Sequence, residues 1–383
     1  MPIDLFETCR IGKLELRNRF VRSPVGDLLA DDFGNVTEDS VAFYRKLAEG
    51  GIGLIEAGHV SFTYHGQIAP RNAHRFDSDD KIEGWRRVIE VVHKAGAKIA
   101  LQLDHAGGSS DHFLFIGTTL AVSSAPLLNN FCPSPHLGQR HRVMTGEEIE
   151  LIIDAFAAAS KRAVEAGFDA INLSAGGRYI GGQFISPLFN LRTDKWGGTP
   201  ENRRRFHLEV LRGVRLAVGP NFPIIVKGEL KDTIDGGLTL EEGIEAYRQM
   251  ASSGADAMEI TAASPGLIGE RPGVNWSIGM GKDQAYARDD AAALKKVVSI
   301  PVILNGGIRS FELAQAIVDS GDADMISFGQ PFIREQDLIA RWQRGDRKRA
   351  KCINCDRCWG IAHSGQKMVC GEEASLQDQY NGI

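Results

Sequence analysis

The chain has 383 residues, 43% of them apolar, and a formal net charge of −5. That length suits one large α/β unit and that apolar share suits a sizeable core. No basic block marks a nucleic-acid surface, no acidic tail marks disorder, and no apolar run reaches the roughly 18 residues a spanning helix needs.

The opening stretch MPIDLFETCRIGKLELRNRF carries no apolar core of signal-peptide length, so a soluble cytoplasmic protein is expected, with neither nucleic acid nor membrane as partner. In a reducing compartment, clustered cysteines point to metal or redox chemistry more than to disulfides. Cys9 and Cys132 stand apart from the other four and read as ordinary thiols.

In chain order, β-branched apolar runs recur at 19–24, 53–59, 98–105, 168–174, 223–230, 257–262, 301–307 and 325–331, and a helical pattern follows each. The runs are nearly continuous in apolar residues, as strands buried on both faces require. Between them, Ile149, Ile152, Ile153 and Phe156 keep helical spacing, and Thr145 with Glu148 and Thr239 with Glu242 form capping-box patterns. Glycines in AGAK, AGFD, SGAD and SGDAD mark helix ends before the next strand. Eight strand–helix units predict a (β/α)8 TIM barrel, with a doubly wound sheet as the alternative. The barrel is expected over 1–345 and a C-terminal extension over 346–383.

Function in such a barrel sits at the C-terminal ends of the strands, where the loops 106–144, 175–200 and 263–288 are long. Asn305, Gly306 and Gly307 end the seventh strand, and Phe328, Gly329 and Gln330 end the eighth. Backbone amides there could approach a phosphate, of a substrate or of flavin mononucleotide (FMN); tight-turn glycines are the plain alternative. Gln102, followed by Asp104 and His105, could pair with the donor–acceptor edge of a flavin. Lys227, followed by Glu229 and Lys231, could stabilise an anionic reduced flavin, or Lys227 and Glu229 could form a barrel ion pair. Tyr179, beside Arg178 in a glycine-rich loop, could donate a proton to a substrate carbon or simply pack the loop. Arg178, His112, His136 and His141 are candidate contacts to an acidic or carbonyl substrate.

The segment KCINCDRCWGIAHSGQKMVC holds Cys352, Cys355, Cys358 and Cys370. Three thiolates within seven residues can wrap one corner of a cubane, and a distant fourth can close it; a zinc site of four thiolates is the rival.

Taken together, these residues resemble the old yellow enzyme family of FMN-dependent NADH:flavin oxidoreductases. QFISPLFNLRTDKWGGTPENRRRF (183–206) is similar to that family's long signature, with Trp196 for Tyr and Thr199 for Ser, and LRNRFVRSP, LQLDHAG, DGGLTLEEG and LNGGI match in order. The resemblance implies FMN held by Ser23, Pro24, Val25, Gly58, Gln102, Lys227, Asn305, Gly306, Gly307, Phe328, Gly329 and Gln330, with Tyr179 and Arg178 catalytic. The tail is similar to the branch of 2,4-dienoyl-CoA reductase and trimethylamine dehydrogenase, which implies a [4Fe-4S] cluster on Cys352, Cys355, Cys358 and Cys370.

Four departures stand out. Ser174 and Gly177 replace the pair that grips a substrate oxygen, Lys227 replaces an arginine, and Gln330 replaces another, for which Arg309 could substitute. The chain also ends 13 residues after Cys370, so no second nucleotide-binding unit is expected. Reduction of an activated C=C bond in an enoate, enoyl thioester or enone is the expected activity. The alternatives are an amine dehydrogenase or N-demethylase, a relay or assembly subunit, and a non-redox phosphate-binding barrel with a zinc tail. The expected partners are a small-molecule substrate, an external electron-transfer protein or NAD(P)H, and further copies of the chain.

Overall fold

The computed structural model describes residues 3–67, 72–109, 119–125, 141–177, 179–262, 285–355, 357–363 and 366–374. Eight parallel strands close a barrel: β1 (Phe20–Arg22), β2 (Leu54–Ser61), β3 (Lys98–Asp104), β4 (Ala170–Ser174), β5 (Ile224–Gly228), β6 (Ala257–Ile260), β7 (Val302–Asn305) and β8 (Met325–Phe328). Each pairs with its neighbours in chain order, and β8 pairs with β1 through Ser327↔Val21 and Phe328↔Arg22 to complete the ring. The expected (β/α)8 barrel is therefore the fold, and each expected run supplies one strand.

The helices around the barrel include α1 (Glu38–Glu49), α2 (Ile82–Lys94), α3 (Gly146–Ala166), α4 (Pro200–Val218), α5 (Leu240–Ser252), α6 (Arg288–Lys295), α7 (Phe311–Asp319) and α8 (Leu338–Gln343). Thr145 and Glu148 form the full reciprocal cap of α3. At α5 only half of the expected box forms: Thr239 accepts from the Glu242 amide at 3.2 Å, while the Glu242 carboxylate turns to Arg203 at 2.8 Å. A charged partner outcompetes the neutral N-cap amide. Gly96, Gly167, Gly254 and Gly321 all have positive φ, which is what their place after helix ends demands.

One core layer lies between the strands and the helices. A second fills the N-terminal end of the lumen, where every barrel strand contributes one residue: Val21, Leu54, Ala100, Ala170, Ile225, Ala257, Ile303 and Met325. A hairpin of Cys9–Ile11 and Leu14–Leu16, not anticipated from the sequence, plugs that end with Ile11 and Leu16. Burial pushes the Cys9 thiol up to about 11, in keeping with an inert thiol; Cys132 lies outside the described residues. The expected loop 106–144 contains a parallel pair, Thr119–Ala121 with His141–Val143. No helix among the described residues is long and apolar enough to cross a membrane.

Candidate active site and cysteine pocket

The signature stretch 183–206 acts as scaffold. Gln183 ties the third-strand loop by donating to the Ala106 carbonyl at 3.0 Å and accepting from the Gly108 amide at 3.0 Å. Asn190 spans the Phe184 and Trp196 carbonyls, and Arg192 donates to the Val122 and Met144 carbonyls. These bonds fix the loops that rim the barrel mouth.

Gln102 is 1% exposed and donates to Asn172 Oδ1 at 3.1 Å, while its Oε1 has no hydrogen-bond partner. A buried acceptor left open is costly unless a ligand fills it, and a flavin ring N–H is a donor of the right kind. Gly58 leaves room beside it: a Cβ there would lie 2.8 Å from Gln102 Cβ and 3.2 Å from Pro24 Cβ. Val25 approaches Gly329 in the same way, at 3.1 Å. Pro24, Gly58 and Gln102 thus lie side by side, and Val25 lies against Gly329.

Lys227 departs from the expected pairing. Its ammonium meets Ser23 Oγ and, at 3.2 Å, Glu259 of β6, not Glu229. Glu259 is fully buried and also accepts from Ser23 and Ser327, each at 2.8 Å. Glu56 of β2 is equally buried and shares Asn172 with it. Burial first, and the Glu259 charge second, push Glu56 well above the usual carboxylate range. Burial works against Glu259 too, but Lys227 and hydrogen bonds from Glu56, Ser23 and Ser327 outweigh it and hold Glu259 below that range. Lys227, Glu259 and Glu56 thus lie together in the lumen, and burial with their mutual coupling drives the two carboxyl groups apart in acidity. Neither Glu56 nor Glu259 belongs to a recognisable motif; their only sequence signal is a charge inside an apolar strand run.

Glu229 accepts from the Gly177 amide at 2.5 Å and so braces the loop that carries Tyr179. Burial pushes its carboxyl up to about 7, although that amide and Lys227 oppose the rise. Lys231 pairs with Asp290 at 2.6 Å. Tyr179 precedes the short helix Ile180–Ile185 and meets the His59 ring edge-on at 5.1 Å. His105 faces inward: its Nδ1 accepts from the Gly107 amide at 2.9 Å, and burial holds the imidazole down near 3. Arg178, His112 and His136 lie outside the described residues, and His141 lies in the short parallel pair.

Gly306 and Gly307 both have positive φ, and Tyr286 lies across them; a Cβ on Gly307 would meet its ring at 2.7 Å. Asn305 accepts from Thr261 Oγ1 at 3.1 Å, and the Phe328 ring turns outward against Phe332 and Trp342. Phe328 can thus offer a ligand only its backbone. Gln330 faces the tail, with Nε2 4.0 Å from Cys358 Sγ. Arg309 also reaches the tail, donating to the Cys352 carbonyl at 3.3 Å.

Cys352, Cys355, Cys358 and Cys370 line one pocket, walled by Gln330 and Arg334. Asn354 sits at φ +57, a left-handed conformation Asn tolerates, and its amide points at Cys352 Sγ at 3.5 Å. Burial raises the Cys352 thiol, while that amide and Arg309 pull it back. No group of three or more His, Cys, Asp or Glu close enough to hold one ion is found among the described residues, so the thiols share a pocket without meeting at one point.

Among curated proteins, the chain is 34% identical over 354 residues to an NADH oxidase of Thermoanaerobacter brockii, covering 92% of this chain and 53% of that one. It is 30% identical over 388 residues to a cinnamate reductase of Clostridium sporogenes, covering 96% and 57%. The solved histamine dehydrogenase of Rhizobium sp. 4-9 superposes with a TM-score of 0.81 at 26% identity, over 96% of this chain and 51% of that one. The chain thus spans little more than half the length of these proteins. Residues 4–349, the barrel and its rim, match a single family throughout, and the chain belongs to the NADH:flavin oxidoreductase / NADH oxidase family.

Proposed function

We propose that this chain is an oxidoreductase dependent on FMN and a [4Fe-4S] cluster, and that it reduces an activated C=C bond in an enoate, enoyl thioester or enone. The observation that carries the reading is the placement of four thiols in one pocket directly behind the β7 and β8 loops of a flavin-family barrel. FMN fits the cradle: Gln102 Oε1 offers the open acceptor, Lys227 the cation, and Gly306 and Gly307 the backbone approach to phosphate. Bound there, FMN would supply hydride transfer, and the cluster would supply one-electron transfer to or from a partner protein, with NAD(P)H as the other donor. Cys352, Cys355, Cys358 and Cys370 would be the cluster ligands, with the Asn354 amide and Arg309 moderating the charge on Cys352. Tyr179 would deliver the proton to the substrate carbon, and Glu229 would hold its loop. We place the barrel at 1–345 and the cluster extension at 346–383, and take the chain to act as a homo-oligomer in the cytoplasm. The likeness to a histamine dehydrogenase favours one second reading, in which an amine is oxidised and electrons leave through the cluster.

Anaerobic purification with an absorbance spectrum and assays for iron, sulfide and zinc tests the cofactors. The expected result is stoichiometric flavin with about four irons per chain. Zinc without iron would overturn the cluster, and iron without flavin would make the chain a relay subunit. Oxidation of the reduced flavin by cinnamate supports the reductive reading; bleaching of the oxidised flavin by histamine supports the other.

A further inference from the structure

The ends of β2, β3 and β4 bring together three side chains that no motif groups. His59 lies near the end of β2, Asp104 is the last residue of β3, and Tyr179 follows β4. Asp104 is fully buried, and both its oxygens are engaged: Oδ1 accepts from the His105 amide at 2.8 Å, and Oδ2 meets His59 Nδ1 at 2.9 Å. That bond fixes the imidazole plane and places the Nδ1 proton toward the carboxylate. The His59 side chain remains 18% exposed, and its Nε2 makes no hydrogen bond to the described residues. The ring lies 5.1 Å from the Tyr179 ring at 62°, close enough for one water to link its second nitrogen to the phenol. A buried carboxylate orienting an imidazole whose other nitrogen is open is an arrangement suited to moving protons.

We propose that His59, held by Asp104, is the proton-exchange partner of Tyr179. The inference rests on the reading of Tyr179 given above. When the Tyr179 O–H bond breaks and its proton forms the C–H bond of the product, the phenolate takes a proton from Nε2 of the His59 imidazolium, which keeps its Nδ1 proton toward Asp104 and regains the Nε2 proton from water. No electron changes hands in these transfers. Amine oxidation would run the same path outward. Ser174 and Gly177 offer no imidazole or amide side chain at the neighbouring positions, and among the described residues His59 is the titratable ring beside the phenol.

Two measurements on the purified holoprotein decide it. In [15N]histidine NMR, the signal lost in His59→Gln identifies His59; it is expected to show a protonated Nδ1 and to move when Tyr179→Phe removes the hydroxyl. This readout needs no turnover. With cinnamate or histamine, whichever is turned over, His59→Ala is expected to lower kcat about 100-fold with KM within threefold, and added imidazole should restore part of it. Imidazole would not rescue a merely structural residue. A His59 signal indifferent to Tyr179→Phe, or a kcat unchanged in His59→Ala, would overturn the proposal. If the parent protein turns over neither compound, the functional reading fails while the NMR result still decides the His59–Tyr179 pair.

Discussion

Glu229 is a single carboxyl with consequences for both stability and the site. It sits under the Gly176–Gly177 turn, with Lys227, Asp232 and Tyr247 as its charged or titratable surroundings. An ordinary glutamate near 4.5 in the unfolded chain becomes one near 7 in the folded protein. The folded state therefore binds the proton more tightly, and stability falls as pH rises from about 4.5 to about 7, then levels off. The shift corresponds to roughly 3 kcal/mol by linkage. Glu229→Gln should remove that component, so the Tm of the variant should gain on the parent between pH 5 and pH 8. A Tm difference that stays flat across that range would show that Glu229 is not the titrating group. The identity of Glu229 was visible in the sequence, but its partner was not. Which backbone amide a buried carboxylate meets depends on how the β4 and β5 loops pack, and no spacing encodes that.

At the scale of elements, the glycine pair after β7 makes a sharp test. Gly307 has φ +74 and lies under the Tyr286 ring. Gly307→Ala should cost roughly 1–2 kcal/mol from backbone conformation alone and more from displacing the ring. It should lower the Tm and leave less flavin bound after purification; a variant with full flavin and an unchanged Tm would refute the cradle. The barrel strands were legible because a strand buried on both faces reads as a continuous apolar run, and their helices because the 3.6-residue period and the glycine stops were intact. The hairpin Cys9–Ile11/Leu14–Leu16 was not, since three-residue strands carry too little period to register. In the candidate site, Gln102 and Lys227 stood out as polar residues at strand ends. Glu56, Glu259 and His59 did not, because their partners come from strands far apart in sequence. The half-formed box at α5 has the same origin: Arg203, 39 residues away, claims the Glu242 carboxylate.

Across the whole molecule, the tail is stitched to the rim of the barrel mouth at widely spaced points. The Met368 amide donates to the Asp27 carbonyl at 3.0 Å, the Ala350 amide to the Arg309 carbonyl at 2.8 Å, and the Lys351 amide to Glu335 at 3.1 Å. Between these anchors Cys358 is the one buried apolar side chain among the described residues, so metal bound as proposed would supply further order. Stripping iron with a chelator should make residues 352–370 cleavable by protease while the barrel keeps its circular dichroism and its Tm within a few degrees; equal protease resistance before and after would argue that the tail folds without metal. The lumen has a longer reach than any single experiment. Lys227, Glu259 and Glu56 balance one another inside a ring of eight strands, where an uncompensated buried charge costs several kcal/mol. Descent through single substitutions is therefore constrained. A lineage that loses Lys227 must lose or neutralise Glu259 within a few steps, and these positions should change together across relatives as one inherited unit.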